Sequence, residues 1–276
     1  TLTVGGDVNP KEVIKMAEKY FGVIPAGPEV QNMKLDPVVL DENRYISYVD
    51  KNIRYPALFL SFPSIGRHHP DEAPLDCLAD ILGTGNGSFL AKKFVLTKKA
   101  VAARSSNPCS ELAGAFTINI YPFPGSVLAD VENEIYQVME EFEETGVTQD
   151  DVDKFKISME TNFINGLASV SGKVSQLASY ETFSGSPNGV GGDLERYQNI
   201  TKEDVIRVYN KYIKGKPAVV LSILPDDGTK PAKENNFTAT TAGDNPFPST
   251  DYSGLSYSRP TGDKFDRSIK PKPGAS

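Results

Sequence analysis

Apolar and polar positions alternate along this chain in two different periods, one of two residues and one of three to four. Alternating or continuous short apolar runs predict strands, and apolar positions at helical spacing predict amphipathic helices. Strands are predicted over residues 1–8, 44–49, 57–62, 101–106, 115–121 and 218–224. Helices are predicted over residues 10–21, 70–82, 88–96, 127–144, 148–163, 174–183 and 201–212, with a short turn at 193–197. This mixture predicts an α+β fold in which an antiparallel sheet is backed by helices on one face.

Several predicted helices begin with a residue that can cap them. Asn9 precedes Pro10, a pair that suits the N-cap and the first helical position. Thr148 is followed three residues later by Asp151, which is the spacing of a capping box, and Thr201 opens the last helix in the same way. These local signals support the predicted helix starts.

A glycine-rich segment, residues 83–88 with the sequence Gly-Thr-Gly-Asn-Gly-Ser, joins two predicted helices. Glycine permits positive φ and close backbone approach. A phosphate-binding loop follows a strand and carries its own lysine, and this segment has neither feature. We therefore interpret residues 83–88 as a structural joint, in which Ser88 caps the second helix.

The amino-acid composition of the chain argues against some classes of function. The chain has 276 residues, of which 39% are hydrophobic and 24% charged, with a net charge of −7. This acidic balance gives no electrostatic support for binding nucleic acid or an anionic membrane surface. No window approaches the ~20 apolar residues that span a membrane. Cys77 and Cys109 lack a C-x-x-C partner, and a disulfide between them is left open.

The two histidines of the chain, His68 and His69, are adjacent. From His69 the sequence reads His-Pro-Asp-Glu-Ala, which approaches the zinc motif H-x-x-E-H but has Ala73 where the second histidine must stand. Zinc catalysis requires two imidazoles on one helix face and a further carboxylate ligand. We therefore predict no metal ligand and no cofactor-binding residue in this chain.

Other reactive side chains also lack the setting that catalysis needs. Ser88 does not lie in a strand-to-helix nucleophile elbow. Two charge clusters are interpreted as solvated faces, namely Lys92, Lys93, Lys98 and Lys99, and Glu140, Glu141, Glu143 and Glu144. In the polar C-terminal stretch, Tyr252, Tyr257 and Phe265 are interpreted as anchors of an extended linker, with a disordered tail as the alternative. We predict no catalytic residue.

Several short segments of the sequence resemble, in the same order, segments of the pitrilysin/insulinase-type zinc peptidases. Residues 2–10 and 20–25 resemble the end of the first domain in that family. Residues 69–71, 81–85 and 88–90 resemble the start of its second domain. Residues 251–255 and 265–268 resemble the linker to the second half in long bacterial members. The resemblance covers nearly the whole chain and lies in the order and spacing of degenerate motifs.

The resemblance implies a sandwich like that of the metallopeptidases and processing peptidases. In this family zinc is held in the first domain by H-x-x-E-H and a further glutamate, so zinc is expected there and not in this chain. Another domain carries an arginine and, seven residues later, a tyrosine that orient the substrate. Val95 and Ala102 stand at those two positions here. The chain therefore resembles the inactive second domain.

The resemblance also implies a domain arrangement. Residues 1–25 would be the last strand and helix of a truncated preceding domain, and residues 26–43 a linker. Residues 44–227 would be the inactive C-terminal-type domain, and residues 228–276 an extended linker to a missing second half. The implied partners are other domains of the same polypeptide and the peptide substrate of the parent enzyme, for which a periplasmic or secreted location is suspected.

Two functions follow from these observations. The first is a non-catalytic scaffold and chamber wall of a zinc endopeptidase that degrades peptides. The alternative is a structural or assembly subunit of the same fold without peptidase activity. An unrelated binding module is a more remote third option, which a fold without a helix-backed antiparallel sheet would favour. An H-x-x-E-H motif in the preceding sequence would support the first function, and its absence would support the second.

Overall fold

A computed structural model of the protein describes residues 1–27 and 35–238. One structural unit holds residues 1–3 and 35–238, and a second holds residues 4–27. The helices are α1 (Pro10–Phe21), α2 (Glu72–Gly83), α3 (Leu128–Thr145), α4 (Gln149–Gly166), α5 (Val170–Ser184), α6 (Val190–Gln198) and α7 (Lys202–Tyr212). The strands are β1 (Arg44–Val49), β2 (Ala57–Ser64), β3 (Ala100–Ser106), β4 (Gly114–Pro122) and β5 (Val219–Leu224). Helix α1 belongs to the second unit, and the other elements belong to the first.

The five strands form one sheet in the order β1-β5-β2-β4-β3. Neighbouring strands are antiparallel in the pairs β2–β5, β2–β4 and β3–β4, whereas β1 and β5 are parallel. The predicted antiparallel sheet backed by helices is thus confirmed, with one parallel pair that we did not predict. Strand β5 inserts between β1 and β2, and hydrophobic periodicity carries no information about which strands become neighbours.

The core lies between one sheet face and the helices. Leu58, Leu60 and Phe62 of β2 are opposite Ile120, Ile118 and Phe116 of β4, so all six side chains share that face. Each of the six is at most 1% exposed. Burying side chains of this size stabilises the fold by roughly 2 kcal/mol each. The two-residue alternation in the sequence therefore produces the inner face of the sheet.

The predicted caps are present. Asn9 Oδ1 accepts a hydrogen bond from the Lys11 N–H at 3.0 Å, and Pro10 begins α1. Thr148 with Asp151 and Thr201 with Asp204 form complete capping boxes at the starts of α4 and α7. Each box satisfies two backbone N–H groups that a helix would otherwise leave unpaired.

Three predicted elements need correction. Residues 1–8 form no strand in the described structure, where they pair with no other strand. A strand depends on a neighbour for its hydrogen bonds, and sequence alternation cannot supply one. The second helix of the glycine-rich joint is a single π-helical turn, Ala91–Val95, after one short helical step. The predicted helix over 174–183 begins earlier, at Val170, because Ser169 caps it by accepting from the Gly172 N–H at 2.9 Å.

Within the described ranges, no helix has the length and apolar character needed to cross a membrane. Tyr252, Tyr257 and Phe265 lie outside the described residues, as does part of the predicted linker over 26–43.

Candidate functional site

Helix α2 is the element on which an H-x-x-E-H motif would have to lie, and ten of its twelve residues are buried. Three acidic residues, Asp71, Glu72 and Asp76, sit at or near its N-terminus. We call them the acidic row. A carboxylate in such a setting is costly unless it is paired, so the partners of each acid determine what the site can do.

Asp71 is 4% exposed and receives three hydrogen bonds from α7. Arg207 Nη1 donates to its Oδ1 at 2.6 Å. Lys211 Nζ and the Tyr212 hydroxyl donate to its Oδ2 at 2.8 Å and 2.7 Å. Burial works against the charged carboxylate, but these hydrogen bonds outweigh it and hold the pKa of Asp71 well below its usual range. Asp71 therefore stays ionised and joins α7 to the start of α2.

Glu72 is bonded to α6 and to its own helix start. Its Oε2 accepts from Arg196 Nη2 at 3.0 Å and from the backbone N–H of His68 at 2.7 Å. Arg196 also donates to the carbonyl of His69 at 2.9 Å and pairs with Asp193. The carboxylate that a zinc peptidase would need as a free base is thus held in a structural ion pair.

Asp76 has a different environment from the other two acids. Its Oδ2 accepts from the Tyr197 hydroxyl of α6 at 2.6 Å, and its Oδ1 accepts from Asn107 Nδ2 at 3.0 Å. Burial raises the pKa of Asp76 to about 6, against the opposing effect of these two hydrogen bonds. Among the described residues, neither oxygen has an ion-pair partner.

The two histidines precede α2 and take part in its N-terminal turn. His68 has a left-handed backbone (φ 62°), a conformation that costs on the order of 1 kcal/mol in a non-glycine residue. Its ring lies against the Tyr180 ring, with the centroids 6.0 Å apart. His69 Nδ1 accepts from the Asp71 N–H at 3.0 Å. Both histidines therefore serve the local geometry of the turn.

Residues 69–73 do not fit a zinc ion. Ala73 has no ligand atom, Glu72 is occupied by Arg196, and one nitrogen of His69 already accepts a backbone hydrogen bond. Within residues 1–27 and 35–238, no group of three or more His, Cys, Asp or Glu side chains is arranged to hold a metal ion.

The two positions that align with the substrate-orienting arginine and tyrosine carry apolar side chains. Val95 ends the π-helical turn and packs, partly buried, against the core. Ala102 lies in β3 opposite Tyr121 of β4. Neither side chain can donate a hydrogen bond to a peptide.

The glycine-rich joint connects α2 to the π-helical turn. Ser88 Oγ accepts from the Ala91 N–H at 3.3 Å and donates to the Gly85 carbonyl at 2.8 Å, as expected of a capping serine. Gly85 has a positive φ of 72°. Gly83 packs against β3 so closely that a Cβ on it would lie 2.1 Å from the Ser105 nitrogen. The joint is therefore a packing device.

The remaining candidates are also engaged in the fold. Cys77 and Cys109 are both free thiols, which answers the open question of a disulfide. In the lysine cluster, Lys99 Nζ contacts Glu134 of α3 at 2.6 Å, and Lys93 Nζ donates to Gln137 at 2.9 Å. Part of this cluster therefore fastens the π-helical turn to α3.

Two open grooves, of about 640 Å³ and 460 Å³, lie beside residues 35–41. Val38, Pro63, Lys211 and Tyr212 line both of them. Lys211 already donates to Asp71, so the grooves offer a contact surface rather than a charged binding site.

The sequence did not reveal the partners of the acidic row. From the sequence alone, Asp71 and Glu72 are simply acids near the start of a predicted helix, where negative charge is favourable. Arg196 and Arg207 lie 124 and 136 residues from the acids they bind, and no local pattern connects them. The available signal was the presence of acids on an otherwise apolar helix, which implies buried partners.

The sequence of this chain is similar to a known protein family and to a protein of Helicobacter pylori. Residues 1–159 match the family described as the peptidase M16 inactive domain. The chain is 26% identical over 237 residues to the zinc protease PqqE of Helicobacter pylori, which covers 81% of this chain and 51% of that protein. The chain thus spans about half the length of this relative.

Two solved structures have the same fold. A protease from Helicobacter pylori matches 80% of this chain and 53% of its own with a TM-score of 0.68 and 24% identity. The peptidase M16 inactive domain from Pseudomonas fluorescens matches 82% of this chain and 53% of its own with a TM-score of 0.64 and 22% identity.

Proposed function

The chain belongs to the family of peptidase M16 inactive domains, and from this premise we propose that it is a scaffold and chamber wall of a zinc endopeptidase that degrades peptides. Zinc and the catalytic base would be supplied by a separate domain that carries H-x-x-E-H. The partners of this chain would be the other domains of that enzyme and its peptide substrate.

The observation that carries the proposal is the state of Glu72. A carboxylate bonded to Arg196 and to the His68 N–H is not available to activate water. Ala73, Val95 and Ala102 stand where ligand and substrate-orienting side chains would be needed. The helix that would bear a zinc site is present here, and its acid is held in an internal ion pair with Arg196.

The sheet face opposite the helices supports a role as a wall. Alternation places Phe59, Tyr121, Leu221 and Ile223 on this face, where all four are partly exposed. The rings of Phe59 and Tyr121 contact each other edge to face, with their centroids 5.6 Å apart. An open surface of apolar side chains suits contact with an extended peptide more than with a polar ligand.

We also propose the domain arrangement that the sequence suggests. Residues 44–227 would form the inactive domain, after the end of a preceding domain (1–25) and a linker (26–43). Residues 228–276 would lead to a further half of the enzyme.

The test is a reconstitution. We expect the purified chain to leave a quenched peptide uncleaved and to bind no stoichiometric zinc, because its residues supply neither the ligands nor a free base. A separately produced H-x-x-E-H domain from the same gene should cleave the peptide slowly alone and faster when this chain is added. The control is an unrelated soluble protein at the same concentration.

Chelator-sensitive cleavage by the purified chain alone would refute its assignment as non-catalytic. If the gene encodes no H-x-x-E-H domain, or if the chain does not change the rate of that domain, the assembly-subunit alternative is supported instead.

A further inference from the structure

Asp76 is the one acid of the acidic row without a cation on its oxygens in the described structure. Asp71 receives hydrogen bonds from Arg207 and Lys211, and Glu72 receives one from Arg196. The donors to Asp76 are two neutral groups, the Tyr197 phenol and the Asn107 amide. Asp76 is partly buried, and with neutral donors alone it is the acid of the three whose charge the protein stabilises least.

The hydrogen bond from Tyr197 is also part of what holds α6 on α2. Tyr197 is 7% exposed, and its ring packs near the rings of Phe155 and Phe163 on α4, with centroids 6.2 Å and 6.1 Å away. The neighbouring Arg196 donates to Glu72 at 3.0 Å and to the His69 carbonyl, just before α2, at 2.9 Å. Two consecutive residues of α6 therefore make both hydrogen bonds to the acids of α2.

The groups that face Asp76 come from three directions. Glu72 lies one turn earlier on α2 and disfavours a second negative charge, whereas Arg196 of α6 favours it. Asn107 donates from the segment between β3 and β4, beside the Cys109 thiol, whose pKa burial raises to about 12. Helix α4 contributes the rings around Tyr197. The thiol therefore stays neutral at ordinary pH, whereas Asp76 changes charge near pH 6.

We propose that Asp76 and Tyr197 form a pH-sensitive latch, which holds α6 on α2 when Asp76 is protonated and releases it more readily when Asp76 is ionised. The Tyr197 hydroxyl can donate or accept, so its hydrogen bond survives protonation of the carboxyl group. Asp76 is only partly exposed with α6 in place, and lifting α6 would hydrate the ionised carboxylate more fully.

The direction follows from linkage. In the closed state burial raises the pKa of Asp76 from 3.8 to about 6. With α6 lifted, the carboxyl group is hydrated and returns to its ordinary pKa, so the closed state binds the proton more tightly. Protonated Asp76 therefore favours packing of α6 on α2 at low pH. This contribution to the closed state is lost as the pH rises through about 6. From about pH 5 to about pH 7.5, these two pKa values correspond to roughly a tenfold increase in opening.

The test is hydrogen exchange of the full 276-residue chain, read by mass spectrometry at about pH 5 and about pH 7.5 and corrected for intrinsic exchange rates. We expect protection of the amides of α6 to fall roughly tenfold at the higher pH, while protection of β4 in the core stays constant.

Two variants and one control separate the latch from other causes. In Asp76→Asn, which stays neutral, protection of α6 should be the same at both pH values. Tyr197→Phe removes a donor to the anion, so the transition should move to higher pH. Asp80→Asn makes the same charge change farther along α2, where the pKa is also raised by burial and Thr84 is the hydrogen-bond partner. Asp80→Asn should leave the pH dependence of amide protection in α6 unchanged.

Equal protection of α6 at both pH values would overturn the proposal. So would a pH dependence that survives in Asp76→Asn, or one that appears equally in β4, since the latter would report global stability.

Discussion

At the residue scale, Gly83 explains why the glycine-rich joint has its composition. A Cβ at this position would lie 2.1 Å from the Ser105 nitrogen and 2.8 Å from the Arg104 carbonyl carbon. Ser105 Oγ also donates to the Ala79 carbonyl at 2.7 Å, which holds β3 against α2, and the two backbones approach closely at Gly83. Neither backbone can yield as a flexible side chain would. Gly83 is thus required by tertiary contact, whereas Gly85 is required by its positive φ.

We expect Gly83→Ala to lower the free energy of unfolding by about 2 kcal/mol, because a methyl group must be forced between α2 and β3. Urea unfolding followed by circular dichroism measures the change. Gly87→Ala is the matched control, since a Cβ there would meet nothing within 4 Å. Equal stability of the two variants would contradict the close contact at Gly83.

At the element scale, α7 is attached to α2 through one buried carboxylate. Arg207, Lys211 and Tyr212 occupy one side of α7, and all three reach Asp71. The Asp71 carboxylate makes no cap hydrogen bond to α2 and accepts these three hydrogen bonds from α7 instead. The packing of these two helices therefore depends on the charge of Asp71.

We expect Asp71→Asn to destabilise the fold by about 2 kcal/mol at neutral pH, because the half-exposed cations of α7 lose their buried partner. The pKa of Asp71 is lowered in the folded state, so its stabilising contribution is present above the ordinary value of 3.8 and is lost as the pH falls below it. Urea unfolding at several pH values should show the difference between variant and parent shrinking in acid.

Asp150→Asn is the control for Asp71→Asn. Asp150 pairs with Lys154 on the surface of α4, where both side chains are 71% exposed. Exposed pairs of this kind contribute little to stability. A loss at Asp150 as large as that at Asp71 would show that general charge balance, not the contact between α2 and α7, controls stability.

At the scale of the whole molecule, the unit that holds the sheet depends on packing and has no covalent cross-link. Its core lies between the inner sheet face and the helices, and both cysteines of the chain are free. Burial raises the pKa of both the Cys77 and the Cys109 thiol to about 12. Few thiolates are therefore present at neutral pH, and both residues are poor nucleophiles in the folded state.

We expect a reducing agent to leave the Tm unchanged, because no disulfide contributes to the fold. A thiol reagent should label Cys77 only after unfolding, since its side chain is fully buried. Differential scanning calorimetry with and without reductant measures the first, and labelling rates in native buffer and in urea measure the second. A drop in Tm of several degrees with reductant would contradict the free thiols.

The sequence alone was sufficient where the responsible contacts are local. The capping boxes at Thr148 and Thr201 bind residues three positions away, and the alternation over 57–62 and 115–121 depends only on the geometry of a strand. The ordered motifs also led to the correct family. The sequence by itself also shows that Ala73 stands where the second histidine of H-x-x-E-H would be.

Only the tertiary structure decided what depends on contacts between distant segments. It placed β5 in parallel beside β1, brought Arg196 to Glu72 and three side chains of α7 to Asp71, and left Asp76 with neutral donors. It also showed that Gly83 packs against β3. Burial and pairing are properties of the folded chain, because desolvation acts only after distant residues have excluded water. The acidic row is therefore visible in the sequence as charge, and its chemistry is determined by the fold.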